Sequence, residues 1–228
     1  MQLLTIHFAG GNKFSLNTLK KYLPASIPVQ ALEFPGRTER EELVTDIHVI
    51  VEQLFAEVVG YIEKPYALFG YSMGTTVAYL LTKEIISRQL NPPFHLFMGG
   101  RMGPSFPFVK NRLYQLPKDQ FWQAIEKMNG TPAEVLYNNL AKEYFEPLLR
   151  ADFEAIERYT YQRSEPLSIP ITVFYGSEEG MDERILEVSW QRETVGPVII
   201  HRMPGDHFFI NRNWEEIAAI VKDVSTYF

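Results

Sequence analysis

Two features of this sequence predict an α/β protein with a mainly parallel, doubly wound sheet. Short runs of β-branched and aromatic residues recur along the chain, and each ends in or near Gly or Pro. Longer stretches with the spacing of amphipathic helices separate these runs. Because strands that alternate with helices usually form a parallel sheet covered on both faces, we expect that architecture here. The strand-like runs are residues 3–8, 29–34, 66–69, 95–98, 171–175 and 198–202.

The longest helical pattern covers residues 41–62, between the second and third strand-like runs. Its apolar side chains recur at intervals that place them on one stripe of a helix. In a parallel sheet of this kind, the functional groups are expected at the carboxyl ends of the strands. The apolar stripe consists of Leu43, Ile47, Ile50, Val51, Leu54 and Val58.

The alternation stops over residues 112–161, a segment with helical patterns and no clear strand. A helix start is predicted near Lys118, and the Asn-Gly-Thr-Pro sequence of residues 129–132 predicts a stop followed by a new start. Aromatic residues crowd the segment, and they either pack it against the rest of the protein or form a hydrophobic lid over an acyl pocket. We therefore expect one domain over residues 1–228 with this helical insertion. The aromatics are Phe121, Trp122, Tyr137, Tyr144, Phe145, Phe153, Tyr159 and Tyr161.

Composition restricts both the partners and the chemistry of this protein. Of its 228 residues, 46% are hydrophobic, enough for one sizeable core, and the net charge of −6 without a basic run argues against a nucleic-acid partner. The absence of cysteine excludes disulfides, a thiolate metal site and a thiol nucleophile. The chain opens on a strand-like run without a basic leader and has no apolar stretch of membrane-spanning length. We therefore expect a soluble, cytoplasmic protein that does not bind a membrane.

The Gly-Tyr-Ser-Met-Gly sequence of residues 70–74 predicts a catalytic serine. The pattern Gly-x-Ser-x-Gly places a serine on a sharp turn between a strand and a helix, and the glycines allow that turn without a Cβ clash. The flanks agree, since a strand-like run precedes the motif and a helical pattern follows it. Ser72 is therefore the predicted nucleophile of an α/β-hydrolase that cleaves an acyl ester or thioester. The alternative is a turn serine without a chemical role.

A histidine is expected as the general base, because a serine hydroxyl is a weak nucleophile until its proton is removed. His207 follows a turn after the last strand-like run, and the order serine, acid, histidine is that of α/β-hydrolases. We therefore predict His207 as the base. Structural or solvent-facing roles are expected for the other four histidines, which fall in strand or helix patterns: His7, His48, His95 and His201.

The acid of the triad is expected in the loop after the strand-like run 171–175, where a carboxylate could orient the imidazole. Three carboxylates occur in this loop, Glu178, Glu179 and Asp182, and position alone does not separate them. The loop after the preceding strand-like run contains no acid. Asp206, next to the predicted base, is interpreted as a turn residue.

Two backbone N–H groups are expected to form an oxyanion hole, one after the nucleophile and one in a loop after an earlier strand. Met73 follows Ser72 and supplies the first. The Ala-Gly-Gly sequence of residues 9–11 directly follows the first strand-like run, so the Ala9 N–H is the predicted second donor. This chemistry requires no metal and no bound cofactor.

These motifs together resemble those of the type II thioesterases that accompany nonribosomal peptide and polyketide synthetases. The resemblance extends from one end of the chain to the other. Many hydrolases share the serine motif, whereas the Pro-Gly-Arg and Gly-Thr-Pro segments are much more specific in combination. The matching segments are residues 8–11 (Phe-Ala-Gly-Gly), 34–37 (Phe-Pro-Gly-Arg), 69–74 (the serine motif), 130–136 (Gly-Thr-Pro-Ala-Glu-Val-Leu), 149–153 (Leu-Arg-Ala-Asp-Phe) and 204–209 (Pro-Gly-Asp-His-Phe-Phe).

The resemblance implies hydrolysis of acyl thioesters on the phosphopantetheine arm of carrier proteins, which clears stalled or wrongly primed acyl groups. It also implies that the insertion is a mobile lid. The family's acid is an Asp three residues after the glycine that ends the strand, and that position is Glu179 here. Glu179 is therefore the first candidate, followed by Asp182 and then Glu178. The family's His before the nucleophile is replaced by Tyr71, which is expected to alter the mouth of the site but not the nucleophile.

Two other functions fit the same motifs. A carboxylesterase or lipase acting on oxygen esters would use the same triad, and a hydrolase-like fold can also serve as a binding module without activity. As partners we expect acyl-loaded carrier proteins, and we expect a monomer. Carrier proteins tend to be acidic, so Lys110, Arg112 and Lys118 are candidate docking residues, with a solvated face as the alternative.

Overall fold

Six parallel strands form one sheet in the order β2-β1-β3-β4-β5-β6. The structure is a computed structural model, and it describes residues 1–38, 41–106 and 112–226. Each neighbouring pair of strands runs parallel, which confirms the α/β class and the parallel sheet. The strands are β1 (Gln2–Ile6), β2 (Val29–Leu32), β3 (Tyr66–Tyr71), β4 (His95–Gly99), β5 (Ile171–Gly176) and β6 (Val198–Met203).

Helices cover both faces of this sheet. Successive residues of a strand point to opposite faces, so Leu68 of β3 joins one apolar cluster and Phe69 joins the other. The first cluster includes residues of α1 (Ile47–Val58), α2 (Met73–Ser87) and α6 (Glu183–Gln191). The second includes residues of α7 (Trp214–Ser225) and of the 3₁₀ turn Asn17–Lys21.

The helix predicted over residues 41–62 is shorter in the structure, where α1 covers Ile47–Val58. Asp46 ends the preceding loop, because its side chain accepts a hydrogen bond from the His48 N–H at 2.8 Å and so caps the helix. Glu41 belongs to that loop, since its carboxylate accepts the N–H groups of Gly36 and Arg37 at 3.1 Å each. The first part of the pattern is therefore used to close a turn rather than to extend a helix.

The described part of the segment between β4 and β5 contains the 3₁₀ turn Leu113–Gln115 and the helices α3 (Lys118–Lys127), α4 (Ala133–Leu136) and α5 (Asn139–Arg158). We name residues 112–161 the insert. It has a small apolar cluster of its own, built on Phe121, Trp122, Ile125 and Leu149. Other aromatics of the insert are exposed, Tyr137 and Tyr144 among them. Within the described ranges, no helix combines the length and the apolar character that a membrane span requires.

Candidate active site

Ser72 lies on the sharp turn that joins β3 to α2. Its backbone angles, φ 53° and ψ −116°, are unfavourable for a residue with a side chain, so the surrounding contacts must maintain them. The Ser72 N–H donates to the Gly99 carbonyl at 2.7 Å. The Ser72 carbonyl accepts the N–H and the hydroxyl of Thr75, at 3.0 and 2.7 Å. These bonds hold the hydroxyl of Ser72 at the carboxyl edge of the sheet.

Both glycines of the serine motif are required by close packing. A Cβ on Gly70 would lie 2.7 Å from the Gly74 carbonyl carbon, within the turn itself. A Cβ on Gly74 would lie 2.5 Å from the His7 carbonyl oxygen and would also overlap the Ile6 carbonyl. The start of α2 therefore rests directly against the end of β1, where the predicted oxyanion loop begins.

His207 brings its imidazole to Ser72, the predicted nucleophile, from the loop after β6. Its Nε2 lies 3.0 Å from the Ser72 Oγ, within hydrogen-bond reach. Gly100, with φ of 70°, passes close beneath the ring, since a Cβ there would lie 3.2 Å from the His207 Cε1. The Tyr71 hydroxyl donates to the His207 carbonyl at 2.6 Å. The backbone and the ring of His207 are thus both positioned by residues at the ends of β3 and β4.

Glu179 is the carboxylate that reaches His207. Its Oε1 lies 2.6 Å from the His207 Nδ1, and its Oε2 accepts the Gly176 N–H at 2.7 Å. The Glu179 side chain is only 3% exposed, which strengthens its hydrogen bonds. Because a carboxylate can only accept, this contact places a proton on Nδ1 and leaves Nε2 free to accept the serine proton.

The two other acidic residues of the loop make different contacts. Asp182 precedes α6 and caps it, because its side chain accepts the Ile185 N–H at 3.0 Å. Glu178 is exposed, and its backbone N–H donates to the Gly205 carbonyl at 2.9 Å. The geometry thus favours Glu179 among the three, while its catalytic role stays a prediction.

The predicted oxyanion donors lie on the two segments that meet at Gly74. Met73 is the first residue of α2, so its N–H has no acceptor within the helix and lies at the positive end of the helix dipole. The Ala9 N–H belongs to the peptide group whose carbonyl is that of Phe8. That carbonyl accepts the Gly11 N–H at 3.0 Å and lies 2.9 Å from the His7 Nδ1.

A buried ion pair joins the oxyanion loop to the insert. The Arg37 Nη2 and the Gly10 N–H both donate to the Asp152 Oδ2, each at 2.6 Å, and the Arg37 Nε donates to the Gly11 carbonyl at 2.9 Å. The Arg37 and Asp152 side chains are 6% and 2% exposed. Leu149 of the same helix packs on Gly10 so closely that a Cβ there would overlap it. The loop that carries Ala9 is therefore fixed to α5 as well as to β1.

The turn between α3 and α4 contacts the loop that carries the base. The Asn129 Nδ2 donates to the Asp206 Oδ2 at 2.6 Å, and Gly130 lies against the Phe208 ring, where any Cβ would overlap it. The hydrogen bond from Asn129 is the main reason that the pKa of Asp206 lies below its ordinary value. Asp206 also accepts the Phe208 N–H at 2.9 Å, as a turn residue is expected to do.

Comparison with known proteins agrees with this geometry. Residues 1–225 match the thioesterase domain family. The chain belongs to that family. It is therefore a hydrolase of the thioesterase class, and the resemblance indicated by the motifs is confirmed.

Individual relatives of this thioesterase cover nearly its whole length. Gramicidin S biosynthesis protein GrsT from Aneurinibacillus migulanus is 34% identical over 213 residues, which are 92% of this chain and 83% of that protein. Linear gramicidin dehydrogenase LgrE from Brevibacillus parabrevis is 32% identical over 225 residues, 96% of this chain and 86% of that protein. The crystal structure of ClbQ from the colibactin NRPS/PKS pathway superposes with a TM-score of 0.92 at 26% identity, and the match covers 99% of this chain and 97% of ClbQ.

One expectation about the thioesterase site is wrong. Tyr71 does not lie at the mouth of the site, because its side chain is completely buried between the Gly99 backbone and the His207 loop. Burial raises the pKa of the Tyr71 hydroxyl well above its ordinary value, so the group remains a donor to the His207 carbonyl. Tyr71 therefore supports the base from beneath.

Sequence reasoning missed several residues that hold the thioesterase site together. The sequence predicts a structural or solvent-facing role for His7 within a strand; the structure places it one residue beyond β1, buried and facing Glu33, a contact that the sequence does not predict. Its position directly before the Phe-Ala-Gly-Gly segment was the available signal. Arg37 and Asp152 fall in two of the matching segments, but nothing in a sequence pairs charges that lie 115 residues apart.

Proposed function

We propose that this chain is a type II thioesterase that hydrolyses acyl groups from the phosphopantetheine arm of carrier proteins. It would thereby release stalled or wrongly primed acyl units during nonribosomal peptide or polyketide biosynthesis. The observation that carries the proposal is the continuous hydrogen-bonded array Ser72–His207–Glu179, at 3.0 and 2.6 Å, in a member of the thioesterase family. The name of GrsT and the pathway of ClbQ support the biosynthetic setting.

The proposed reaction has two half-reactions. In the first, the His207 Nε2 takes the proton of the Ser72 hydroxyl while Oγ attacks the thioester carbonyl, and the N–H groups of Ala9 and Met73 stabilise the tetrahedral oxyanion. The protonated His207 then donates its proton to the departing pantetheine sulfur as the carbon–sulfur bond breaks. In the second half-reaction His207 takes a proton from water as the water oxygen attacks the acyl-enzyme ester. His207 then returns that proton to the Ser72 Oγ as the ester carbon–oxygen bond breaks, which releases a carboxylic acid and restores the Ser72 hydroxyl. Glu179 stabilises the imidazolium at both stages.

The insert is the part of the enzyme that we expect to meet the acyl chain and the carrier. Its turn at Asn129 and Gly130 lies on the His207 loop, which supports a role as a lid. Of the candidate docking residues, Arg112 is exposed and Lys118 lies 3.9 Å from Glu143, so Lys118 is already partly paired. Lys110 lies outside the described residues. Carrier docking at this surface stays a prediction.

A panel of acyl-loaded carrier proteins, read by intact mass, tests the function. We expect loss of the acyl mass with the wild type and a transient acyl adduct on Ser72. Because Ser72 and His207 act together, Ser72→Ala should lower kcat by about 10⁶-fold. Glu179→Gln should lower it by up to about 10⁴-fold, by analogy with replacement of the acid in other serine triads. Asp182→Asn is the matched control, because asparagine is also a good helix cap and activity should stay near wild type.

The same assay separates the thioesterase from an oxygen-ester hydrolase. An acyl carrier thioester and a simple oxygen ester of the same acyl group are compared at equal concentration. The proposal requires a higher kcat/KM for the carrier-bound thioester. Preference for the oxygen ester would instead indicate a carboxylesterase, and normal turnover by Ser72→Ala would refute the mechanism.

A further inference from the structure

His7 is a buried polar residue at the junction of β1, the oxyanion loop and the nucleophile turn. Its side chain is 1% exposed, and its ring packs at 4.0 Å, centroid to centroid, on the Phe34 ring. The same residue's carbonyl is one of the two, with that of Ile6, that Gly74 approaches at the start of α2. An apolar side chain would satisfy this packing, whereas a buried imidazole is costly unless its nitrogens find partners.

Both ring nitrogens of His7 have such partners. Nδ1 lies 2.9 Å from the Phe8 carbonyl oxygen, and Nε2 lies 3.0 Å from the Glu33 Oε1. A carbonyl oxygen can only accept, so the contact with Phe8 places a proton on Nδ1. The Glu33 carboxylate likewise can only accept, so its contact places a second proton on Nε2 and makes the ring the cation of an ion pair with Glu33. The Phe34 N–H, 3.3 Å from Nε2, then packs against this nitrogen without a hydrogen bond to it.

The Phe8 carbonyl and the Ala9 N–H belong to one planar, trans peptide group, so they point in opposite directions. The carbonyl has two donors, the His7 Nδ1–H and the Gly11 N–H at 3.0 Å. Fixing the carbonyl therefore fixes the direction of the Ala9 N–H. With the Gly11 hydrogen bond alone, the Phe8–Ala9 peptide group could still rotate with the turn. A second donor on the same carbonyl oxygen restricts that rotation.

We infer that His7, held by Glu33, is a positioning residue that aims the Ala9 N–H into the oxyanion hole. This inference rests on the proposed function, because it takes the Ala9 N–H as the oxyanion donor. His7 touches neither substrate nor reacting atoms and acts through the Phe8–Ala9 peptide. Two histidine–glutamate pairs among the described residues would then have parallel roles: His207–Glu179 serves the nucleophile and His7–Glu33 serves the oxyanion.

Glu33 is suited to hold the ring in this orientation. Besides the His7 Nε2, its Oε1 accepts the Lys13 N–H at 3.0 Å, so the carboxylate is itself anchored. Burial acts to raise the pKa of Glu33, but the hydrogen bonds from His7 and from Lys13 outweigh it and lower the pKa below its ordinary value. Glu33 is therefore ionised at neutral pH and can accept from the ring.

Three substitutions separate the donor on Nδ1 from the rest of the side chain. Asparagine offers an N–H near the position of Nδ1, glutamine offers one near Nε2, and leucine offers neither. We expect His7→Asn to retain kcat within about threefold of the wild type. His7→Gln and His7→Leu should each lower kcat about tenfold with little change in KM. This loss is smaller than the roughly 10²–10³-fold loss in kcat that follows deletion of an oxyanion donor itself. A role in packing alone would instead give losses that follow the free energy of unfolding, measured in urea for each variant.

A transition-state analogue gives the second readout. A trifluoromethyl ketone analogue of acyl-pantetheine forms a tetrahedral adduct on serine and needs the oxyanion hole, whereas the corresponding thioether binds without it. The inhibition constant of the ketone should rise about tenfold in His7→Leu and His7→Gln and stay near wild type in His7→Asn, with thioether affinity unchanged in all three. Equal values for His7→Asn and His7→Leu would overturn the inference.

The two proposals fail in different ways. If the wild type hydrolyses carrier thioesters while the three variants behave alike, only the role of His7 is refuted. If the wild type hydrolyses no carrier thioester but the ketone still binds in the order stated, the role of His7 is supported and the proposed substrate is wrong. The ketone reports on oxyanion geometry in any serine hydrolase that uses this turn.

Discussion

Two of the contacts between the insert and the rest of the thioesterase differ in burial. At its root, Asp152 of α5 forms a buried ion pair with Arg37 and accepts the Gly10 N–H. At its tip, exposed Asn129 bonds to Asp206 beside the base. A buried, charged contact is costly to break, whereas an exposed hydrogen bond exchanges readily with water. We therefore expect the root to act as a fixed anchor of the oxyanion loop and the tip to be the part that separates when substrate enters.

The largest effect is expected at the root. Asp152→Ala leaves the Arg37 guanidinium buried without its partner and should lower the free energy of unfolding by about 3–5 kcal/mol, as for other broken buried pairs. Activity should also fall, since Gly10 loses its acceptor. Chemical denaturation measures the effect. Asp223→Ala, at an exposed site on α7, is the control and should change stability by no more than about 0.5 kcal/mol. A change below 1 kcal/mol in Asp152→Ala would contradict the anchoring role.

A medium effect is expected at the tip from Gly130→Ala. The added Cβ would overlap the Phe208 ring, so the turn must move away from the His207 loop. Amide hydrogen exchange in and around this turn should become about tenfold faster, equivalent to about 1.4 kcal/mol of local stability, while exchange in the sheet stays unchanged. Gly60→Ala is the matched control, because a Cβ there has only ordinary contacts. Unchanged exchange in Gly130→Ala would show that the tip is not held by this contact.

The smallest effect is expected from Asn129→Gly, which removes one exposed hydrogen bond without adding backbone strain at φ 58° and should cost about 1 kcal/mol or less. The hydrogen bond from Asn129 is the main cause of the lowered pKa of Asp206 in the folded state. Its contribution to the free energy of unfolding is therefore fully present above the ordinary Asp pKa of about 3.9 and is lost as the pH falls through the lowered pKa. The difference in stability between wild type and variant should therefore shrink below about pH 4. A difference that grows on acidification would contradict the assignment.

Ser72 and His207, the predicted nucleophile and base, could be located from the sequence because their signals are local. Ser72 sits in a five-residue motif whose glycines are required by contacts within and beside the turn, and His207 follows the last strand. The acid could not be predicted in the same way. Glu178 and Glu179 are adjacent, and which of them faces His207 depends on the turn closed by the Glu179 N–H and the Gly176 carbonyl at 3.1 Å.

Helix boundaries show the same limit. The apolar stripe of residues 41–62 predicts the existence and the buried face of α1, but α1 begins at Ile47 because Asp46 caps it and Glu41 bonds to the Pro-Gly-Arg turn. Those partners lie outside the helical pattern. A periodic pattern reports which face is buried and does not report which polar groups a neighbouring loop will use.

By itself, the sequence determined the alternation of strands and helices, the strained serine turn, the place of the base and the family, because each of these depends on residues close together in the chain. Tertiary structure decided the rest. It placed the Glu179 carboxylate against His207, buried Tyr71 beneath His207, paired Arg37 with Asp152, and placed His7 against the Phe8 carbonyl. The physical reason is that each of these contacts is a short, directional bond between groups on different loops. Only the packing of the sheet and its helices brings those loops together.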